Sequence, residues 1–190
     1  PDDLRRQLLD QAKSRGRCTD DVLRVTLRGD DARTALCLPS CPRLSASAVA
    51  SSVALFASSL AVVDLSKNVC VTDELFQAHL LGPDNNGVVL SALRKLDLSD
   101  CSITDRCASF FLQRAPALRD LNVSQTGVGD GVVAALCFGC KFLQVLSMND
   151  CGRVRWELDF FRQVTTEKRF SYHSQDGSEM CTVFPSSDAL

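Results

Sequence analysis

Apolar residues recur at fixed positions in three stretches of this chain, which begin at Leu93, Leu118 and Leu143. In each stretch the first, fourth and sixth residues are apolar, mostly polar residues separate them, and Cys or Thr stands ninth. The 25-residue period lies in the range of about 20–29 residues that is typical of a solenoid built from one strand and one return segment per unit. One such unit cannot bury its own apolar edge, so the pattern predicts a stack of repeats.

The same pattern continues upstream. Leu60 begins a unit that has Asn68 at its ninth position, and Arg33 begins another that has Cys41 there. Successive units start 27, 33, 25 and 25 residues apart, near residues 33, 60, 93, 118 and 143. We therefore predict five repeats, of which the first and last are the least complete. The longest spacing places an insertion at Gly82–Val89, which either connects two elements or contacts a partner.

Each unit is predicted to be a parallel βα step. Its alternating apolar residues indicate a short strand whose inward pairs are Leu36/Leu38, Val63/Leu65, Leu96/Leu98, Leu121/Val123 and Leu146/Met148. The ninth residue (Cys, Asn or Thr) either bonds across the following turn or fills it as a small buried group. A Thr or Asp shortly afterwards is typical of a helix N-cap, and helical spacing follows in residues 73–81, 105–115 and 130–139.

Two segments resemble the cysteine-containing subfamily of Leu-rich repeats, the type found in F-box ubiquitin-ligase subunits. They are Leu96-Asp-Leu-Ser-Asp-Cys-Ser-Ile-Thr-Asp105 and Cys140-Lys-Phe-Leu-Gln-Val-Leu-Ser-Met-Asn-Asp-Cys151. The resemblance covers residues 33–154. It implies a short right-handed α/β solenoid, with a parallel β-sheet on the concave face and helices on the convex face.

The N-terminal flank, residues 1–32, is predicted to cap the first repeat. Asp2–Lys13 places Leu4, Leu8 and Leu9 on one helical face, and Val22–Leu27 alternates as a strand would. A cap is expected because an open solenoid end exposes both core and strand edge.

The C-terminal flank, residues 155–190, is predicted to be a second cap with a helix, a hairpin and a tail. The helix is expected at Trp156–Val164, and the hairpin at Arg169–Ser174 and Met180–Phe184. A competing interpretation makes the tail an arm that binds a partner.

Composition narrows the environment and the partner class. The net charge of −2 argues mildly against nucleic-acid binding, which usually requires a basic protein. The sequence contains no apolar run of transmembrane length, about 20 residues. The ten cysteines would suit disulfides in a secreted protein, but several occupy repeat positions that need a small apolar side chain. We therefore predict reduced thiols in an intracellular, reducing compartment such as the cytoplasm, with an organellar or cytoskeletal assembly also open.

No catalytic motif is recognisable in the sequence. Cys137-Phe-Gly-Cys140 is the single C-x-x-C, and the repeat register favours core packing over zinc or redox chemistry for both thiols. His79 is interpreted as a half-buried helix residue. We predict no enzyme activity, no cofactor and no metal.

The polar residues between the repeated apolar ones are the candidate partner-binding surface. They would lie side by side on the concave face, with bases on one edge and acids toward the middle. They are Asp64, Lys67, Arg94, Lys95, Asp97, Asp100, Arg119, Asp120, Asn122, Gln125, Asn149 and Asp150. A mixed-charge face of this kind sets the orientation and on-rate of a complementary protein partner.

Three functions fit these features. The first is a non-enzymatic protein–protein interaction module, a scaffold subunit of a larger intracellular assembly. The second, implied by the F-box resemblance, is substrate recognition in a ubiquitin ligase. The third is a peripheral protein of a ribonucleoprotein such as an organellar ribosome, in which Arg94, Lys95 and Arg119 would contact phosphate.

Overall fold

The strands of the described chain form one sheet, in sequence order. The structure is a computed structural model that describes residues 2–28, 33–80, 87–107, 110, 114–132, 140, 142–151, 169–173 and 180–183. Its strands are β1 (Ala35–Cys37), β2 (Val62–Asp64), β3 (Lys95–Asp97), β4 (Asp120–Asn122), β5 (Val145–Ser147), β6 (Arg169–His173) and β7 (Met180–Val183). Each of β1 to β5 pairs parallel with the next strand, while β7 pairs antiparallel with β6.

The strand register aligns the predicted strand positions of the five units. Leu36, Val63, Leu96, Leu121 and Leu146 are aligned across the first five strands, and all five are buried. The second inward residue of each predicted pair is buried as well, from Leu38 to Met148. Arg33 replaces the first-position leucine and is half-buried, with its guanidinium 6.0 Å from the centre of the Phe56 ring.

The turn after each of the strands β1 to β5 has one residue in the left-handed region. These residues stand eighth in their units and have φ between 53° and 59°; they are Ser40, Lys67, Asp100, Gln125 and Asp150. The first four each donate the backbone N–H to a carbonyl of the next unit, as Lys67 does to Ser99 at 2.9 Å. The sheet ladder therefore continues through the turns, which fixes the same backbone shape in all five units.

The ninth residue bonds across the turn, and mostly to the preceding unit. Asn68 Nδ2 donates to the carbonyl of Leu38 at 2.7 Å, and Cys101 Sγ donates to that of Leu65 at 3.2 Å. Cys151 Sγ donates to the Val123 carbonyl at 3.1 Å. Thr126 departs from this rule because its shorter hydroxyl donates to Val123 in its own unit, at 2.6 Å. Each of these side chains is buried and also makes a hydrogen bond. The ninth residue therefore both fills the turn and bonds across it.

The N-terminal flank forms two helices, α1 (Asp2–Ser14) and α2 (Asp20–Leu27). A Schellman motif ends α1: Gly16 has φ of +61°, its N–H donates to Lys13, and Arg17 N–H donates to the Ala12 carbonyl. At the solenoid end, Lys13 Nζ donates to the Cys37 carbonyl of β1 at 3.2 Å.

The predicted strand at Val22–Leu27 is wrong, because this segment lies in α2. Asp20 and Asp21 occupy its first turn, where carboxylates interact favourably with the helix dipole. Leu23, Thr26 and Leu27 are buried at helical spacing. Packing of this face against the core outweighs the alternation that indicated a strand.

The helical side differs from the prediction in two respects. A helix that the repeat pattern did not predict, α3 (Ala46–Leu55), begins at Ser45, whose hydroxyl accepts from Ala48 N–H at 3.1 Å. The return segments of the second and third units contain a π-helix at Leu75–Leu80 and a 3₁₀-helix at Asp105–Cys107.

Two acids predicted near helix starts link consecutive units. The Asp73 carboxylate accepts from both the N–H and the hydroxyl of Thr104, at 2.9 and 2.6 Å. The Asp105 carboxylate accepts from Gly129 N–H at 2.6 Å. These aspartates therefore bond consecutive repeats to each other in the segments that follow the strand turns.

The C-terminal strands β6 and β7 form the antiparallel pair that the hairpin prediction requires. The expected helix at Trp156–Val164, the tail after residue 183 and most of the Gly82–Val89 insertion lie outside the described residues. The boundaries of the two caps stay predictions. No described helix is long and apolar enough to cross a membrane.

Candidate protein-interaction surface

The twelve predicted residues occupy three adjacent bands on one side of the sheet. Arg94 and Arg119 stand immediately before β3 and β4 and form the entry band, where Arg119 N–H donates to the Arg94 carbonyl at 2.8 Å. The strand band contains Lys95, Asp120, Asp64, Asp97 and Asn122. The turn band contains Lys67, Asp100, Gln125, Asn149 and Asp150.

The acids of the strand band are engaged in bonds within the chain. Asp97 Oδ1 accepts from both the N–H and the hydroxyl of Ser99, at 3.0 and 2.7 Å. Its other oxygen accepts from Asn122 Nδ2 at 3.0 Å. Asp64 makes the same pair of bonds with Ser66. The Asp-x-Ser sequence thus closes the turn after the strand, and half-buried Asp97 has little capacity left for a partner.

The first positions of β3 and β4 form an ion pair between repeats. Lys95 Nζ lies 2.9 Å from Asp120 Oδ2, and the two side chains are 56% and 32% exposed. The hydrogen bond with Asp120 raises the pKa of Lys95, so the ammonium stays charged over the physiological range. Exposed pairs of this kind contribute only about 0.2–1 kcal/mol.

The arginines of the entry band are exposed charges that have no such engagement. Within the described residues, the side chains of Arg94 and Arg119 make no hydrogen bond or ion pair, and both are exposed. Neighbouring strands lie about 4.8 Å apart, so the two guanidinium groups project from adjacent positions. Their like charges are unbalanced locally, and a carboxylate could bridge both with paired N–H donors.

The turn band is mixed in charge and follows the left-handed turns. Lys67, Asp100 and Gln125 are exposed, while Asp150 and Asn149 are half-buried. Asn149 also belongs to the scaffold, because its N–H donates to Ser124 Oγ at 3.1 Å. The surface therefore has a basic entry border, a self-bonded middle and a mixed far border.

Most of the described thiols do not have the properties of nucleophiles. A hydrogen bond with Cys41 lowers the pKa of Cys18, but that thiol is buried. Burial raises the pKa of Cys101 to about 11 and also raises the pKa of Cys107 and Cys151. Cys37 is exposed, but desolvation and then Asp64 raise its pKa as well. Nucleophilic cysteines usually have a lowered pKa. Cys140 is buried, while Cys137 lies outside the described residues.

The described residues contain no cluster of His, Cys, Asp or Glu that could hold a metal ion. His79 is exposed rather than half-buried, because Leu75, Phe76 and Leu80 form the inward face of the π-helix.

A cleft at the N-terminal end of the sheet is not predictable from the sequence pattern. It has a volume of about 330 Å³ and lies between α1 and β1, lined by Arg6, Lys13 and Arg33 among others. These bases come from segments about 20 residues apart in the chain, and only the docking of α1 brings them together. Asp10 also lines this cleft and lies 2.6 Å from Lys13 Nζ, so the cleft is mixed in charge and is separate from the entry band.

Comparison with known proteins supports the repeat assignment. The family model described as Leucine Rich repeat matches residues 90–111, which include β3 and its turn. A chain in the crystal structure of the Rad7 and Elc1 complex from yeast is 16% identical, with a TM-score of 0.61. The match covers 88% of this chain and 41% of that one, so the present chain spans well under half of its neighbour's length.

A second solved structure is less similar. It is an internalin (inlF) from Listeria monocytogenes str. 4b F2365, 14% identical, with a TM-score of 0.42 over 83% of this chain and 51% of that chain. None of the curated proteins matches significantly. The F-box subfamily stays a prediction, because none of these matches specifies it.

The register, the turns and the family match agree with one another. Five aligned units share a buried strand pair and a left-handed turn, and the matched family model falls on the third of them. The described chain has the fold of a leucine-rich-repeat solenoid, and its third unit matches the family model.

Proposed function

We propose that this chain is a non-enzymatic protein–protein interaction module, a scaffold subunit of a larger intracellular assembly. Its concave face would bind an acidic segment of a protein partner along the entry band. The observation that carries the proposal is the contrast between exposed Arg94 and Arg119, which lack partners among the described residues, and half-buried Asp97, which is bonded within the chain.

A carboxylate-bearing partner follows from the charges that remain available. Lys95 and Asp120 largely neutralise each other, and Asp64 and Asp97 close their own turns. Over the twelve residues four bases face five acids, so the positive excess is confined to the entry band, which consists of Arg94 and Arg119. A guanidinium group recognises a carboxylate through two parallel hydrogen bonds, which supplies geometric specificity as well as attraction.

The fold is compatible with this role. The yeast neighbour was crystallised in a complex of two proteins, so a related solenoid occurs in a protein complex. A rigid repeat array also loses little conformational entropy when it binds a partner, because internal hydrogen bonds already fix its polar turns.

The test is affinity purification at low salt from cells that express the chain, with captured protein and RNA both identified. We expect Arg94→Glu together with Arg119→Glu to lower recovery of the partner at least ten-fold. The matched control is Arg43→Glu with Arg106→Glu, which makes the same charge change at two exposed residues away from the entry band. Both variants should melt within about 2 °C of the wild type, as surface substitutions usually do.

Unchanged recovery with the entry-band variant would refute this surface. Captured RNA that survives protease treatment and is lost with Arg94→Glu and Arg119→Glu would favour the ribonucleoprotein function instead. Ubiquitin-ligase subunits among the captured proteins would identify the assembly as a ligase.

A further inference from the structure

A second surface lies on the outer side of the N-terminal helices, away from the sheet. Between α1 and α2 runs a groove of about 430 Å³, here named the cap groove. Its apolar lining includes Leu8, Ala12, Val22 and Val25, and Arg15 and Arg17 lie at one end. Its location on two helices makes it independent of the entry band.

The helices of the cap are apolar on two faces, and only one face serves the core. On the inner face Leu9, Leu23 and Leu27 are 4%, 1% and 3% exposed. On the outer face Leu8 and Val25 are 56% and 60% exposed, so the prediction that Leu8 covers the first repeat together with Leu9 is wrong. A helix that only covers a solenoid end needs one apolar stripe and a polar remainder. The outer stripe therefore has no function in the described packing, and contiguous exposed apolar residues commonly indicate a binding site.

Leu4 extends this stripe by one helical turn. It precedes Leu8 by four residues on α1 and is 64% exposed. The apolar surface thus follows the length of α1, which has 13 residues and so is about 20 Å long at 1.5 Å per residue.

The charge at the end of the groove is unbalanced. Arg15 and Arg17 flank Gly16 in the α1–α2 turn, and both are exposed. Their side chains make no hydrogen bond or ion pair with a described residue. Asp21, also in the lining, already lies 3.4 Å from Arg24. An occupant with acidic residues at the end near this turn would complement the two guanidinium groups.

We propose that the cap groove docks an amphipathic helix of a partner protein, with apolar residues one turn apart and acidic residues at the end near Arg15 and Arg17. A helix fits better than a strand because two helices present no free backbone edge for strand addition. A helix satisfies its own backbone bonds and needs only an apolar stripe to fill the groove. The length of α1 accommodates about three to four turns.

The test uses two synthetic peptides of 14 residues and the full chain. Both peptides carry leucines at i, i+4, i+7 and i+11. At the positions near the peptide ends that are not leucine, one peptide has glutamates and the other has lysines. Fluorescence anisotropy should show at least ten-fold tighter binding of the glutamate peptide. Arg15→Glu with Arg17→Glu should reverse that preference, and added salt should weaken the glutamate complex.

A pair of serine substitutions tests the apolar contact. Leu8→Ser with Val25→Ser should lower affinity at least ten-fold and leave the melting temperature nearly unchanged, because both side chains are already exposed. The control is Val69→Ser, which changes an equally exposed valine in another part of the chain and should leave binding unchanged.

Three outcomes would overturn the proposal. One is equal affinity, or no affinity, for the two peptides. Another is dimerisation in sedimentation experiments that Leu8→Ser abolishes, which would assign the groove to a second copy. The third is binding to phosphatidylserine vesicles, but to neither peptide, that requires Leu8 and Val25. None of these outcomes depends on the entry band, so this proposal and the proposed function can fail separately.

Discussion

The concave face and the cap groove use exposed side chains in opposite ways. On the concave face, polar residues that would ordinarily be assigned to a partner bond within the chain, as Asp97 does with Ser99 and Asn122. In the cap, apolar residues that would ordinarily be assigned to the core face solvent, as Leu8 and Val25 do. The polarity of a residue therefore does not reveal whether it serves the fold or a partner. The hydrogen bonds and the solvent exposure of its side chain do reveal this.

The largest effect is expected at Asn68, which is polar and yet belongs entirely to the scaffold. It is fully buried, donates to the carbonyls of Leu38, Leu65 and Ser66, and accepts from Cys41 N–H. Asn68→Ala removes all of these bonds and leaves the Leu38 carbonyl and the Cys41 N–H without their side-chain partner, which should lower the free energy of unfolding by about 3–5 kcal/mol. Urea denaturation measures this loss, and neighbouring Val69→Ala, an exposed change, is the control. A loss below about 1 kcal/mol would mean that water replaces the amide.

The next effect separates the two kinds of charge on the concave face. Asp97→Ala removes three hydrogen bonds and should destabilise the chain by about 1–2 kcal/mol. Arg119→Ala removes an exposed side chain and should change stability by less than about 0.5 kcal/mol. Chemical denaturation of both variants gives the comparison. Equal losses of stability in the two variants would show that the arginines also support the fold. The entry band would then not differ from the acids of the strand band.

Alkaline pH should weaken the repeats through their thiols. The pKa of Cys101 rises from an ordinary 9.0 to about 11 on burial. Because the unfolded chain loses the thiol proton first, this stabilisation is complete below pH 9 and is lost as pH rises through 11. The loss should be on the order of 1 kcal/mol between pH 8 and 10.5, with a shallower pH dependence for Cys101→Ser. If wild type and Cys101→Ser showed the same pH dependence, the buried thiol would not be its source.

The smallest effect is expected at the ion pair that bridges β3 and β4. A double-mutant cycle on Lys95→Ala and Asp120→Ala should give a coupling of about 0.5 kcal/mol, because both groups are partly exposed. The coupling should fall further in 0.5 M salt. A coupling above about 1.5 kcal/mol would place this pair with the scaffold residues rather than with the surface.

The sequence predicted the strands well because their signal is local and repeated. The strand pairs from Leu36/Leu38 to Leu146/Met148 are all buried in the predicted register. The turn position of Cys101 was also recognisable, since a small bonded group is required at the same place in every unit. Five repetitions of a short pattern outweigh the ambiguity of any one of them.

The remaining features depend on contacts between distant segments. Alternation at Val22–Leu27 indicated a strand, and only the packing of Leu23 and Leu27 shows why a helix forms. The Asp-x-Ser sequence was interpreted as exposed face because its bonds are invisible in the pattern. The cap groove requires α1 and α2 to lie together, which no local signal in either helix predicts.

Photo-cross-linking tests the central claim, partner binding on the concave face, most directly. A benzophenone amino acid replaces Gln144, an exposed residue beside Arg119 in the entry band, or Glu74, an exposed residue on the helical side. The purified assembly is irradiated, and cross-linked products are identified by mass spectrometry. We expect a cross-link to an acidic segment of the partner from position 144 and none from position 74. A cross-link from position 74 alone would contradict this account.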